Sequence, residues 1–83
     1  MGYTYFIYDP LLDRIKIGWS INPRARFRTL KSQFHSGLLM LGYLKGGNRL
    51  ELQLHQRFST YRIGRSEWFH AAPIAAEIEK MLG

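Results

Sequence analysis

The chain has 83 residues, 46% of them apolar and 22% charged, with no cysteine and with twelve Lys and Arg against six Asp and Glu. That length allows one domain at most, expected to span residues 1–83 and to bury a little over ~60% of its unfolded surface around one core. The lack of cysteine excludes disulfide staples, Cys-based zinc sites, thiol catalysis and iron–sulfur chemistry, and favours a cytoplasmic home. The sequence has neither a basic leader nor a run of ~18–20 apolar residues, so neither a signal peptide nor a membrane span is expected.

In chain order, Tyr3 to Tyr8 is aromatic and β-branched and predicts a strand. Asp9-Pro10 is a turn signal. Arg14 to Gly18 alternates polar and apolar, which predicts a half-buried second strand paired with the first as a hairpin. Asn22-Pro23 predicts a helix start, with Asn as cap and Pro in the first turn. Phe27, Leu30 and Phe34 then form a core stripe, while Arg24, Arg28 and Lys31 repeat on another face. Ser36-Gly37 ends that helix. Leu38 to Leu44 is nearly all apolar and predicts a buried third strand.

Gly46-Gly47 breaks the chain, and Asn48 is expected to cap a second helix running to about Phe58. Leu50, Leu54 and Phe58 face the core; Glu51 and His55 share another face. Gly64 to Phe69 reads as a loop or short extended piece, with Trp68 and Phe69 sealing the core under the second helix. A last helix covers Ile74 to Leu82, with Ile74, Ile78 and Met81/Leu82 inward. The fold class is α+β: a small antiparallel, three-stranded sheet flanked by helices, in the order β-β-α-β-α-(β)-α.

Charge is the loudest compositional signal, at +6 with a pI near 10.1. Between Arg14 and Lys31 six basic residues occur with no acid among them. Such a block suits a polyanion, and it also suits a merely solvated face. Within the elements four polar residues sit where a core prefers apolar ones: Tyr5, Lys16, Arg26 and Glu51. A hairpin can bring Tyr5 and Lys16 together on one sheet face, and the packed helices can add Arg26 and Glu51. A phenol, two cations and a carboxylate suit phosphodiester hydrolysis. The carboxylate would hold Mg²⁺ (or Mn²⁺), an oxygen-seeking ion that polarises a phosphate. The guanidinium matches phosphate geometry. Cations beside the phenol would lower its pKa toward a general base.

These residues resemble the GIY-YIG nucleases. Tyr3-Thr4-Tyr5 stands where that family has its first tripeptide, and Lys16-Ile17-Gly18 where it has the second. Lys-Ile-Gly-Trp-Ser-Ile-Asn-Pro-Arg-Ala-Arg-Phe is similar to the family's following run and places Arg26 at its hallmark arginine. Gly-Gly-Asn-Arg-Leu-Glu-Leu-Gln-Leu-His-Gln-Arg-Phe and then Ser-Glu-Trp-Phe resemble a short subfamily associated with phage DNA-binding proteins, with Glu51 on the metal-binding glutamate. The resemblance covers about Tyr3 to Met81. It implies a GIY-YIG-like fold, a metal-dependent DNA endonuclease and a phage or bacterial setting. The chain departs from the pattern in the first tripeptide, where only Tyr5 survives, and in the second, where Lys16 replaces tyrosine. His35 is the nearest match to the family's histidine.

Around this centre, His55 is read as a further catalytic residue, a partner of Glu51 or a proton shuttle, or else as a structural hydrogen-bonder, and His70 as structural. Trp19, expected in an exposed loop after Gly18, is a candidate stacking contact for a nucleotide. Gly18 is read as a point of close strand–helix approach. Arg24, Arg28, Lys31 and Arg49 are candidates for phosphate contact. The leading expectation is cleavage of DNA, with RNA as the further candidate partner, with little sequence preference of its own, any specificity coming from a homodimer or a protein partner. A catalytically inactive module that binds DNA or RNA is the alternative. An interaction protein directed at an acidic host protein is the third.

Overall fold

In the computed structural model, which describes residues Met1–Gly83, β1 (Tyr3–Asp9) and β2 (Arg14–Ser20) form an antiparallel hairpin in which Tyr5 lies opposite Gly18 and Ile7 opposite Lys16. The Asp9 carboxylate shapes the turn by accepting the Leu11 and Leu12 N–H groups, the local chemistry that makes Asp a turn residue. β2 continues through Trp19 to Ser20, so Trp19 is a strand residue and not part of a loop.

α1 (Pro23–Gln33) starts as the sequence predicts: Asn22 accepts the Ala25 N–H at 3.1 Å and Pro23 occupies the first turn. Leu30 is buried and Phe27 half-buried, but Phe34 is 47% exposed and packs edge-on against Trp68. The helix ends at Gln33, one position too early for Phe34 to extend the inward stripe.

β3 (Leu39–Lys45) pairs with β1 and lies at the sheet edge, in the order β3-β1-β2-β4. The expectation of a buried third strand therefore fails; Leu39 and Leu41 are exposed. Continuous apolar sequence suits a central strand covered on both faces, but here only one edge of β3 is paired. The register shifts between Phe6 and Ile7, leaving Leu41 without a partner on β1.

α2 (Gly47–Arg57) is capped by Gly46 and not by Asn48. Gly47 has φ +46°, and a Cβ there would collide with the Met1 carbonyl. The Gly47 carbonyl accepts a hydrogen bond from the fully buried Thr4 hydroxyl at 2.7 Å. This bond ties the start of α2 to β1 and so sets the height of Glu51. A 3-10 turn (Ser59–Tyr61) leads to β4 (Trp68–His70), a strand of only three residues, and α3 (Ala75–Leu82) closes the chain.

The sheet separates two apolar layers. On one face Tyr5, Ile7 and Trp68 pack with Leu30 and Leu38; on the other Phe6, Ile15, Ile17 and Phe69 pack with Leu54 and Phe58 of α2 and Ile74 and Ile78 on the α3 side. Trp68 thus seals the α1 layer, and only Phe69 lies under α2. The α+β expectation holds, with the short β4 making the sheet four-stranded. No helix is long and apolar enough to cross a membrane.

Candidate functional site

β4 pairs with β2 only over Arg14 to Lys16. Beyond that point no strand pairs with the outer edge of β2. The Ile17 N–H is taken by the Glu67 carbonyl at 3.0 Å, and the Ile17 carbonyl accepts from His55 Nε2 at 2.8 Å. The polar residues of the sequence gather around this edge.

Tyr5 and Lys16 occupy one face of the hairpin as diagonal neighbours, within reach of long side chains. Tyr5 is 2% exposed, and its ring lies over Gly18. A Cβ at residue 18 would stand 2.5 Å from the Tyr5 Cζ, inside any real contact. Gly18 is therefore a site of close approach, but to the phenol and not to a helix. The Arg26 guanidinium of α1 faces the Tyr5 hydroxyl.

Burial holds the Tyr5 phenol above its ordinary pKa, against the pull of Arg26; the Glu67 and Glu51 carboxylates add to the rise. The expected lowering is thus overturned in the free protein: desolvation outweighs the single facing cation. Lys16 does not act on the phenol as anticipated. Its ammonium is bonded to the Glu67 carboxylate.

Glu51 reaches the same cluster from α2 and is 7% exposed. Desolvation raises its pKa, and the Glu67 charge raises it further, while His55 and Lys16 pull it down. None of the ion pairs of the protein uses Glu51. Its oxygens are not sealed off either: Glu51 has no fully buried side-chain oxygen left without a partner. Glu51 is thus a carboxylate with free, reachable acceptor oxygens. No group of three or more His, Cys, Asp or Glu side chains gathers anywhere in the protein. This donor set does not fit an all-protein metal cage. It fits an ion that keeps most of its waters and takes one carboxylate, the habit of Mg²⁺.

His55 lies edge-on against Phe69, with ring centroids 5.0 Å apart. The carbonyl of Ile17 can only accept, so Nε2 carries the proton and Nδ1 is the remaining free nitrogen. Trp19 is 42% exposed. A shallow groove of about 510 Å³, lined among others by Trp19, Asn22, Arg26 and Thr29, adjoins the cluster. Arg24 and Arg28 are exposed on α1 and Arg49 on α2, none of them ion-paired, while the Lys31 ammonium lies 5.0 Å over the Phe27 ring. A larger groove of about 590 Å³ is apolar, lies by Leu41, Ala75 and Leu82, and contains none of the polar cluster.

Two residues escaped sequence reasoning. Glu67 belongs to the Ser-Glu-Trp-Phe run, where an acid directly before two buried aromatics was the available signal. Asp9, read only as a turn former, is fully buried and binds Arg14 Nε at 2.9 Å and His35 Nε2 at 2.8 Å. Arg14 in turn lies 4.0 Å over the Trp68 ring. His35 is thereby committed to Asp9 and stands apart from the Tyr5 cluster.

The family model described as the T5orf172 domain matches residues 2–82, so the chain belongs to the T5orf172 domain family. No significant match was found among curated proteins or among solved structures.

Proposed function

From membership of the T5orf172 domain family, we propose that the chain is a metal-dependent endonuclease of the GIY-YIG type that hydrolyses DNA phosphodiester bonds with little sequence preference of its own. The observation that supports this reading is that the Tyr5 phenol feels the charges of Arg26 and Glu51, and Glu51 that of Lys16, the diagonal neighbour of Tyr5, although the four come from four elements. The family match supports a nuclease or DNA-binding role.

In this reading Arg26 binds the non-bridging phosphate oxygens and stabilises the charge that builds on them. Lys16 supplies a second, point-like positive charge. Tyr5 is a neutral phenol in the free protein, so its hydroxyl orients the attacking water by hydrogen bonding. It takes that water's proton only as a phenolate, the form Arg26 favours. Glu51 would hold the Mg²⁺ or Mn²⁺ ion, which when bound supplies Lewis-acid stabilisation of the leaving oxygen. His55, bonded to the β2 backbone, fixes α2 and hence Glu51 against that edge. Arg24, Arg28, Lys31 and Arg49 contact flanking phosphates, and Trp19 stacks on a base. Sequence choice comes from a second copy or a protein partner.

The raised Tyr5 phenol favours one rival, a module of the same fold that binds DNA or RNA without turnover. Nicking of supercoiled plasmid with Mg²⁺ or Mn²⁺ separates the two. The proposal expects wild type to nick, and Arg26→Ala and Glu51→Ala to lose at least ~100-fold with their thermal stability kept. Binding without nicking in wild type selects the rival.

A further inference from the structure

Lys16 is an ammonium in the middle of a buried strand segment, 7% exposed. An isolated ammonium at that depth is unfavourable without a partner. Its partner is Glu67, 51 positions away in the chain. Backbone pairing fixes where Glu67 stands: its carbonyl accepts the Ile17 N–H, and the next residue, Trp68, lies opposite Lys16 in the β2–β4 ladder. The side chain of Glu67 is 43% exposed while that of Lys16 is 8% exposed. The carboxylate therefore stands between the buried ammonium and the solvent. The Glu67 charge is also felt at Tyr5 and at Glu51, where it favours the neutral form of each.

We infer that Glu67 is a positioning residue of the phosphodiester site, holding the Lys16 ammonium oriented where the phosphate enters. The inference rests on the cleavage reading given above. An ammonium has three donors. One is taken by Glu67, which leaves two for phosphate oxygens and removes the rotational freedom of the head group. An exposed ion pair contributes little; here one partner is buried, so losing the other leaves a charge uncompensated. Glu67 also opposes the incoming anion. Neutralising it therefore pulls ground-state binding and catalysis in opposite directions, which a structural role or a plain charge effect does not do.

The test compares wild type, Glu67→Gln, Lys16→Gln and the double variant in plasmid nicking with Mg²⁺, with kcat and KM separated. Glu67→Gln is expected to lower kcat roughly tenfold or more, the size of one charge-assisted hydrogen bond, with KM unchanged or lower. In the Lys16→Gln background the same change is expected to do nothing further. Wild-type kcat in Glu67→Gln, or an equal loss in both backgrounds, overturns the inference. A second readout needs neither DNA nor metal: the Lys16 ammonium gives a slowly exchanging ¹H–¹⁵N signal in wild type that disappears in Glu67→Gln. An identical signal in both proteins overturns the pinning whatever the nicking shows. Wild type that retains the signal but never nicks overturns the cleavage reading, and the positioning role within it.

Discussion

Gly18→Ala is the sharpest perturbation available, because it tests stability and site geometry with one methyl group. The new Cβ would stand 2.5 Å from the Tyr5 Cζ and still closer to the hydroxyl, where ordinary contact begins at 3.4 Å. The ring must retreat by about 1 Å, and it is 2% exposed, packed with Ile7, Leu30, Leu38 and Trp68. Overpacking of this kind costs about 1–3 kcal/mol. For a domain of this size each kcal/mol lowers Tm by roughly 4–8 °C, so a drop of about 5–20 °C is expected by calorimetry. The phenol moves away from Arg26 at the same time, and a misplacement of ~1 Å is enough for a ~100-fold loss of rate. Nicking is measured well below the lowered Tm, so that unfolding does not contribute. An alanine variant with unchanged Tm and unchanged nicking would mean that the phenol does not sit over residue 18, and the site geometry argued here would be wrong.

Glu51→Gln removes a buried charge that burial and Glu67 disfavour. A carboxyl whose folded pKa is raised stabilises the fold at pH below its unfolded pKa and loses that contribution as pH rises through the folded one. The metal-free glutamine variant is therefore expected to have the higher Tm at neutral pH, and to show none of the Tm increase that Mg²⁺ is expected to give wild type; a lower Tm at pH 7 counts against the reading. Asp9 has the opposite sign. Burial opposes its ionisation, but Arg14, His35 and the Leu11 and Leu12 N–H groups prevail and hold its pKa below the usual value. Its stabilisation is full above the ordinary carboxylate range of ~4 and disappears as pH falls through the lowered value. Asp9→Ala should destabilise by roughly 2 kcal/mol or more at pH 7 and flatten the acid limb of the Tm–pH curve, as followed by circular dichroism. Trp19→Ala leaves the fold intact and is expected to weaken single-stranded DNA binding about tenfold, measured by fluorescence anisotropy; unchanged affinity would remove Trp19 from the interface.

Elements were legible wherever local chemistry decides them. Asn22-Pro23 specifies a capped helix start in any context; aromatic and β-branched residues mark the first hairpin strand and period-two patterning the second. Sequence reasoning failed where tertiary placement decides. Leu38 to Leu44 is apolar enough for a central strand, yet nothing local says that its outer edge goes unpaired. Asn48 is a good cap by residue type, but the Thr4 bond to the Gly47 carbonyl helps to place the helix start earlier. Phe34 follows the helical period, and the helix stops before it. Tyr5, Lys16, Arg26 and Glu51 could be singled out because each violates the pattern of its element. Glu67 violates nothing: an acid in a loop is the ordinary case.

That asymmetry has an energetic reason. A domain of this size has only a few kcal/mol of net stability to lose, and this one carries Lys16 at 7% exposure with Glu51, equally buried, beside it. Lys16 is tolerable only because Glu67 neutralises it. Glu67 in turn raises the cost of ionising Glu51, which has no counter-ion bonded to it. The cluster is therefore one cation short: Lys16 answers one of the two carboxylates, and Arg26 is directed at the phenol. A divalent ion at Glu51 would supply the missing positive charge. On the proposed reading, the same deficit that makes metal-free Glu51 destabilising would favour such an ion there. Neutralising Glu67 should then weaken Mg²⁺ binding at Glu51 and, by leaving the buried Lys16 ammonium uncompensated, also lower metal-free stability, two shifts that separate titrations can read.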